Sequence, residues 1–76
     1  MNVHLTLHGI LRDYLPRTAK GKTTLSLPDG ATVEDVLKSL KINRIVNGSV
    51  NGVQVEPDRV LKDGDELQLF RPISGG

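Results

Sequence analysis

Cysteine is absent from this chain of 76 residues, so no disulfide can staple it and no thiolate can bind a metal or act as a nucleophile. Aromatic residues are nearly as scarce: one Tyr, one Phe and no Trp leave little for stacking nucleic-acid bases. No apolar run approaches the roughly 20 residues that span a bilayer. These absences disfavour a disulfide scaffold, a single-strand binder and a membrane-spanning protein.

Neither positive nor negative charge predominates in this chain. Ten basic and nine acidic side chains give a net charge of +1, which provides no electrostatic case for nucleic acid. The opening "MNVHLTLHG" lacks the basic region and long apolar stretch of a signal peptide. We therefore expect one cytoplasmic domain over residues 1–76. A domain of this size buries only about 60% of the surface that its unfolded chain exposes, so its stability should be modest.

Alternation of apolar and polar residues predicts two strands in the first third of the chain. "VHLTLH" at 3–8 and "TTLSL" at 23–27 each place their apolar residues on one face. Between them, Ile10, Leu11, Tyr14 and Leu15 have helical spacing and Pro16 would end the turn. We expect a short helical turn there, followed by a basic loop.

The stretch "PDGATVEDVLKSLK" is typical of a turn followed by a helix. Thr32 is placed to cap the helix, with Asp35 three residues on in the position of a capping box. One apolar stripe follows at helical spacing, formed by Val33, Val36, Leu37 and Leu40. The pattern predicts one amphipathic helix that packs on a sheet.

The second half predicts three more strands, at 44–50, 53–55 and 66–70. Asn51-Gly52 suits a tight hairpin turn between the first two, but Asn47-Gly48 is a competing turn site, so the register is open. The order strand, strand, helix, strand, short strand, strand indicates an α+β fold of the β-grasp kind. We expect a mixed sheet of four to five strands on one main helix, its inner face carrying Leu5, Leu7, Leu25, Leu27, Leu67 and Leu69.

Two histidines suggest a metal pair at first sight. His4 and His8 have the spacing that chelates zinc on a helix. In a strand, however, four residues separate the two Cα atoms by about 13 Å, whereas each ligand atom must lie ~2 Å from one zinc ion. We therefore expect two histidines on the exposed face and no metal site.

A basic stretch surrounds the first loop, formed by Arg12, Arg17, Lys20 and Lys22. A solvated loop is the simpler interpretation, and an anion site or a partner-binding patch is the alternative.

The sequence closes on "FRPISGG", and two final glycines pack nothing. Pro72 cannot extend a strand ladder, so residues 72–76 are expected to form a flexible tail. Either the glycines are merely disordered, or they form the working end. In the second case an activating enzyme can thread Gly75 and Gly76 through a narrow channel, because neither has a Cβ beside the reacting carboxyl group.

Phe70 is the only phenylalanine of the chain and lies just before this tail. Because Leu67 and Leu69 point to the core, Phe70 should lie on the outer face of the sheet. There it is either a docking anchor for a partner or covered by neighbouring residues.

Four stretches together resemble the ThiS/MoaD sulfur-carrier family, which shares the β-grasp fold with ubiquitin. They are "LHGILRDYL" at 7–15, "LPDGATVEDVLKSL" at 27–40, "LKDGDELQLF" at 61–70 and "PISGG" at 72–76. The middle two mostly specify the fold, and the terminal Gly-Gly specifies the function.

The resemblance implies a carrier rather than an enzyme. An adenylating partner of the ThiF/MoeB type uses ATP and Mg to activate Gly76 beside Gly75, and a sulfur donor then forms a thiocarboxylate. The carrier itself binds no cofactor. It passes sulfur to the large subunit of molybdopterin synthase, of which it can count as the small subunit, or to thiazole synthase for thiamine. Residues of the docking surface would be Phe70, Arg71, Pro72, Ile73 and Ser74.

The branch within the family is less clear from the residues. "LHGILRDYL" favours the MoaD-like branch, whereas "VNG" at 50–52 and "LQLFRPISGG" fit ThiS as well. A protein modifier that forms isopeptide bonds through the same tail, and an interaction module with an inert tail, remain as alternative functions.

Overall fold

The computed structural model describes residues 1–43 and 46–72. These residues form a five-stranded sheet, one α-helix and two 3₁₀ helices. The order predicted from the sequence is confirmed. The strands and helices are, in chain order, β1 (Asn2–Leu7), a 3₁₀ helix (Gly9–Tyr14), a second 3₁₀ helix (Arg17–Ala19), β2 (Lys22–Ser26), α1 (Val33–Ser39), β3 (Asn47–Val50), β4 (Val53–Val55) and β5 (Glu66–Phe70).

The sheet is mixed, in the order β2-β1-β5-β3-β4. Its two central strands, β1 and β5, run parallel, and the other neighbours are antiparallel. The register places Leu5 beside Leu67 and Leu7 beside Leu69, and all four side chains are almost completely buried. The period-two pattern therefore predicted the core face of the central strands correctly.

Two leucines that were predicted to lie in the core are less buried than expected, near the edge of the sheet. Leu25 and Leu27 were expected on the inner face, but both are only half-buried and pack against the margin of the core. β2 has a neighbour on one side only, so its inner side chains keep one flank open to solvent.

The helix α1 begins as the capping-box pattern predicted. Thr32 Oγ1 accepts a hydrogen bond from the Asp35 backbone N–H at 3.3 Å, and Asp35 Oδ2 accepts one from the Thr32 backbone N–H at 2.9 Å. A cap of this kind stabilises a helix by about 1 kcal/mol. Val33 and Val36 are buried, whereas Leu37 and Leu40 lie at the margin of the core.

The hairpin β3–β4 turns at Asn51-Gly52, whose φ angles are 53° and 85°. The competing site is not a turn, because Gly48 lies inside β3. There an added Cβ would approach Leu69 Cδ2 to 3.3 Å, so Gly48 leaves room for a core leucine. The predicted strand 44–50 begins later, at Asn47. Arg44 and Ile45 lie outside the described residues, and Val46 precedes the strand.

The predicted helical turn after β1 is a 3₁₀ helix. Leu11 is fully buried, whereas Ile10 is 47% exposed. With three residues per turn, positions three apart share one face, so Leu11 and Tyr14 turn inward and Ile10 does not. In an α-helical turn, which the spacing also fits, both Ile10 and Leu11 could have faced the core.

A buried carboxylate ties the beginning of β5 to the hairpin. Asp65 is 6% exposed, and its two carboxylate oxygens accept from Asn51 Nδ2 at 3.0 Å and from the Lys62 backbone N–H at 2.8 Å. The Glu66 backbone N–H donates to Asn51 Oδ1 at 3.0 Å. The "KDGD" stretch at 62–65 therefore joins two distant segments of the chain through this carboxylate.

Candidate docking surface and C-terminal segment

The end of β5 brings Phe70 to the outer face of the sheet, as predicted. Leu67 and Leu69 are buried on the inner face, and the alternation places Gln68 and Phe70 on the other. Phe70 pairs with Asn47 of β3 and is half-buried. The ring is thus partly covered by its surroundings and partly open, and its role as a docking anchor stays a prediction.

An apolar recess lies beside the open part of the ring. Its volume is about 280 Å³, and His8, Gly9, Ile10, Phe70 and Arg71 line it. Two elements form the recess, because the His8 backbone N–H donates to the Leu69 carbonyl at 3.1 Å and holds the first 3₁₀ helix against β5. We call these five residues the apolar recess.

The recess combines apolar surface with two polar groups. Ile10 and Phe70 supply exposed apolar area, and His8 and Arg71 supply an imidazole and a guanidinium. His8 Nε2 lies 2.8 Å from Gln68 Oε1, which orients the ring along the outer face of the sheet. Such a set suits the docking of a partner side chain, since a central apolar anchor with a polar rim is the usual anatomy of a binding surface.

Both histidines lie on the exposed face, as the strand geometry predicted. His4 Nδ1 lies 3.2 Å from Thr24 Oγ1, whereas His8 contacts Gln68, so the two rings have different partners. Within residues 1–43 and 46–72, no group of three or more His, Cys, Asp or Glu could hold a metal ion.

The strand ends at Phe70, and the exposed residues Arg71 and Pro72 follow outside it. This agrees with the prediction that Pro72 marks the end of the sheet. The remaining predicted site residues, Ile73, Ser74, Gly75 and Gly76, lie outside the described residues. Their roles therefore stay predictions.

Sequence reasoning missed three members of the recess, His8, Gly9 and Ile10. The sequence carried no clear signal for Ile10, because its spacing also fits an α-helical turn in which Ile10 and Leu11 share the buried face. His8 was expected on the exposed face of the sheet, after a metal site with His4 had been rejected, and no docking role was assigned to it. Its contact with Gln68 depends on the parallel pairing of β1 with β5, which joins segments 60 residues apart.

Comparison with known proteins places the chain in a family. The sequence model of the ThiS family matches residues 11–76, so the chain belongs to the ThiS family. A protein of Xylella fastidiosa named "UPF0125 protein" is 40% identical over 52 residues, which cover 64% of this chain and 65% of that protein. The chain thus spans slightly less than two thirds of the length of this curated relative.

Solved structures agree on the β-grasp fold. A candidate molybdopterin converting factor, subunit 1, of Pyrococcus furiosus is 27% identical with a TM-score of 0.78, covering 96% of this chain and 99% of that one. The small archaeal modifier protein 1 of Haloferax volcanii has a TM-score of 0.75 at 20% identity, covering 95% and 98%. Subunits 1 and 2 of the molybdopterin-converting factor of Helicobacter pylori form a complex, with a TM-score of 0.65 at 18% identity and full coverage of both chains. The last two similarities, at low identity, show the fold alone.

Within the part of the chain that the structure describes, no helix has both the length and the apolar character to cross a membrane.

Proposed function

We propose that this chain is a sulfur carrier that acts as a co-substrate rather than as an enzyme. A carboxylate oxygen of Gly76 attacks the α-phosphorus of ATP in a partner of the ThiF/MoeB type, which releases pyrophosphate and forms an acyl-adenylate. A persulfide sulfur then displaces AMP from that carbonyl carbon. Reductive cleavage of the resulting acyl disulfide, by a thiol that becomes oxidised, leaves a thiocarboxylate for the accepting enzyme.

One observation carries the proposal: the match to the ThiS family runs through residues 11–76 and includes both final glycines. The absence of cysteine supports it, because a chain without a thiol must attach any sulfur that it transports to another group. A carboxyl group activated by adenylation is a suitable acceptor. The ATP and Mg belong to the activating partner, and the carrier binds no cofactor of its own in this proposal.

The position of the apolar recess fits this role. Phe70 and Arg71 line the recess, and the segment from Ile73 to Gly76 begins two residues later. Those four residues reach at most about 14 Å when extended. A partner that binds the recess through Phe70 and Arg71 can therefore receive Gly75 and Gly76 in a channel close by.

For the accepting enzyme we favour the large subunit of a molybdopterin synthase over thiazole synthase. The support is the likeness, at 27% identity and over nearly the whole length of both chains, to the candidate molybdopterin converting factor subunit. Incubating the thiocarboxylated chain with each acceptor separates the two, since only the true acceptor should return it to the carboxylate form.

The experiment that tests the carrier step uses intact-mass spectrometry. The purified chain is first checked for a free carboxylate at Gly76, then incubated with ATP, Mg, an adenylating partner and a sulfur donor. The proposal expects one oxygen replaced by sulfur at Gly76. Two controls share the same body: a chain lacking Gly76 and a chain with one alanine added after it. Neither should react, and both should melt at the temperature of the unmodified chain.

Two results would contradict the proposal. The first is an unmodified chain in the presence of a partner that does adenylate another carrier. The second is a ladder of conjugates on a denaturing gel that disappears when Gly76 is deleted, with no thiocarboxylate formed; this result would assign the chain to the protein modifiers instead.

A further inference from the structure

The charges of this chain are nearly balanced overall but unevenly distributed. Residues 8–22 contain four of the ten cations and only one of the nine acids, Asp13. The other eight acids fall within 29–35 and 56–66. The segment that joins β1 to β2 therefore has a positive potential that the net charge of +1 conceals.

Three of these cations surround one concavity of about 400 Å³. Arg12, Arg17 and Lys20 line it together with Asp13 and four uncharged residues, Gly9, Leu15, Pro16 and Gly21. We call it the basic concavity. Its cations outnumber its acids by three to one, so its potential is positive at neutral pH.

The loop that forms this concavity has a defined shape. Lys20 and Gly21 both have positive φ, at 53° and 77°, and the Gly21 carbonyl accepts a hydrogen bond from the Leu7 backbone N–H at 2.6 Å. A Cβ at Gly21 would lie 2.8 Å from the Leu7 carbonyl oxygen and 2.9 Å from Arg12 Cγ. The Arg12 stem therefore lies close to the Gly21 backbone, so the loop is packed at this point although its cations are exposed.

The cations of the basic concavity are not neutralised by the fold. Among residues 1–43 and 46–72, ion-pair distance is reached only by Glu34 and Lys38, on the helix α1. Arg12, Arg17 and Lys20 are exposed, and their charges remain available to a binding partner.

The basic concavity adjoins the apolar recess. Gly9 lines both, with Ile10 and Phe70 on one side and Arg12 and Arg17 on the other. Arg71, at the far side of the recess, adds another cation next to the tail. The two concavities thus form one continuous surface whose centre is apolar and whose flank is positive.

We propose that the basic concavity is the electrostatic part of the docking surface, and that it selects a protein whose own surface carries carboxylates beside the site that receives Phe70. This inference rests on the proposed function, which supplies the partner. Charge complementarity accelerates encounter and orients it, while the apolar contact supplies most of the affinity. A nucleic acid is a poorer occupant, because the two concavities offer only two rings for stacking bases, the half-buried Phe70 and the His8 imidazole.

The test measures association and dissociation rates with the adenylating partner in the absence of ATP, at ionic strengths from low to high. The variant is Arg17→Glu combined with Lys20→Glu. The matched control is Lys41→Glu combined with Lys62→Glu, which changes the net charge equally at exposed positions outside both concavities. Thermal melting of both variants checks that the fold is retained.

We expect the site variant to lower the association rate about tenfold or more at low salt, with a nearly unchanged dissociation rate. Raising the salt should shrink this difference, because the Debye length falls to about 3 Å at 1 M. At about 0.15 M salt, where the Debye length is about 8 Å, the control variant should change the association rate less than about twofold, because charges farther than this from the contact are largely screened.

Any of four outcomes would overturn the inference. Equal losses in both variants would show that net charge alone matters. A loss that persists at high salt would show that the cations do not act through steering. Tight binding of a short single-stranded RNA at physiological salt, abolished only in the site variant, would assign the concavity to nucleic acid. If the wild-type chain forms no acyl-adenylate, the proposed function fails. If the wild-type chain forms the acyl-adenylate and the site variant associates with the partner at the wild-type rate, only this inference fails.

Discussion

The side chains at the two ends of β5 differ sharply in their burial and in their hydrogen bonding. At the beginning of the strand, Asp65 is buried and both of its carboxylate oxygens are hydrogen-bonded, to Asn51 and to Lys62. At the other end, Phe70 is half-buried beside Ile10, and Arg71 is exposed. Only a few residues separate these two environments.

This difference teaches that one short strand serves two purposes. Its first half joins the hairpin β3–β4 and the 62–65 turn to the centre of the sheet. Its last residue leaves apolar surface next to the segment that we propose to be the reactive one. Substitutions at the first end should therefore act on stability, and substitutions at the last end should act on partner binding.

The largest effect is expected in the middle of the strand. Leu67 is fully buried on β5, which lies between β1 and β3. Leu67→Ala should therefore lower the free energy of unfolding by about 2–5 kcal/mol, because apolar burial is lost and a cavity remains. Urea denaturation measures this change. In a chain of 76 residues such a loss is a large fraction of the total stability. A loss below about 1 kcal/mol would mean that the core is not packed as described.

The next effect concerns the buried carboxylate. Asp65→Ala leaves the Lys62 backbone N–H and the Asn51 amide without their acceptor, which should cost about 1–3 kcal/mol. Asp63→Ala is the matched control, since Asp63 is exposed and accepts one hydrogen bond, from the Asn2 backbone N–H at 2.7 Å. Equal melting temperatures for the two variants would refute the structural role of Asp65.

At the other end of β5, a substitution should change partner binding rather than stability. Phe70→Ala should weaken binding of the adenylating partner by about 1–2 kcal/mol or more, because it removes the apolar anchor of the recess. Val53→Ala is the control, because Val53 is 64% exposed on the edge strand β4 and does not line the apolar recess. Calorimetric titration gives the affinities, and unchanged binding by the Phe70 variant would exclude the ring as an anchor.

The smallest effect is expected at His8. His8→Ala removes one exposed hydrogen bond to Gln68, whose net contribution to stability is about 0.5 kcal/mol. The same urea denaturation measures it. Partner binding should fall less than in the Phe70 variant, because His8 lines the rim of the recess and supplies little apolar area. A larger binding loss at His8 than at Phe70 would reverse the assignment of anchor and rim.

Local rules were sufficient for much of this molecule. The alternation in β1 and β5 predicted their buried leucines, and the spacing of Thr32 and Asp35 predicted a capping box that has both of its hydrogen bonds. These features involve residues that are neighbours in the chain or share one periodic face, so the sequence alone carries the signal. The family resemblance, which rested on local stretches, is confirmed by the match over residues 11–76.

Other features required the folded chain. The choice of Asn51-Gly52 over Asn47-Gly48 as the turn depends on Gly48 packing against Leu69, a contact between strands far apart in sequence. The half-burial of Leu25 follows from the edge position of β2, which no local pattern reveals. The apolar recess exists because β1 and β5 pair in parallel and bring Ile10 beside Phe70.

By itself the sequence determined the periodic faces and the start of the helix, because each depends on residues close together in the chain. The tertiary structure alone decided which apolar side chains stay exposed and how the basic concavity meets the apolar recess. The physical reason is that the exposure of a side chain is set by its neighbours in space, and those neighbours come from segments as far apart as His8 and Gln68.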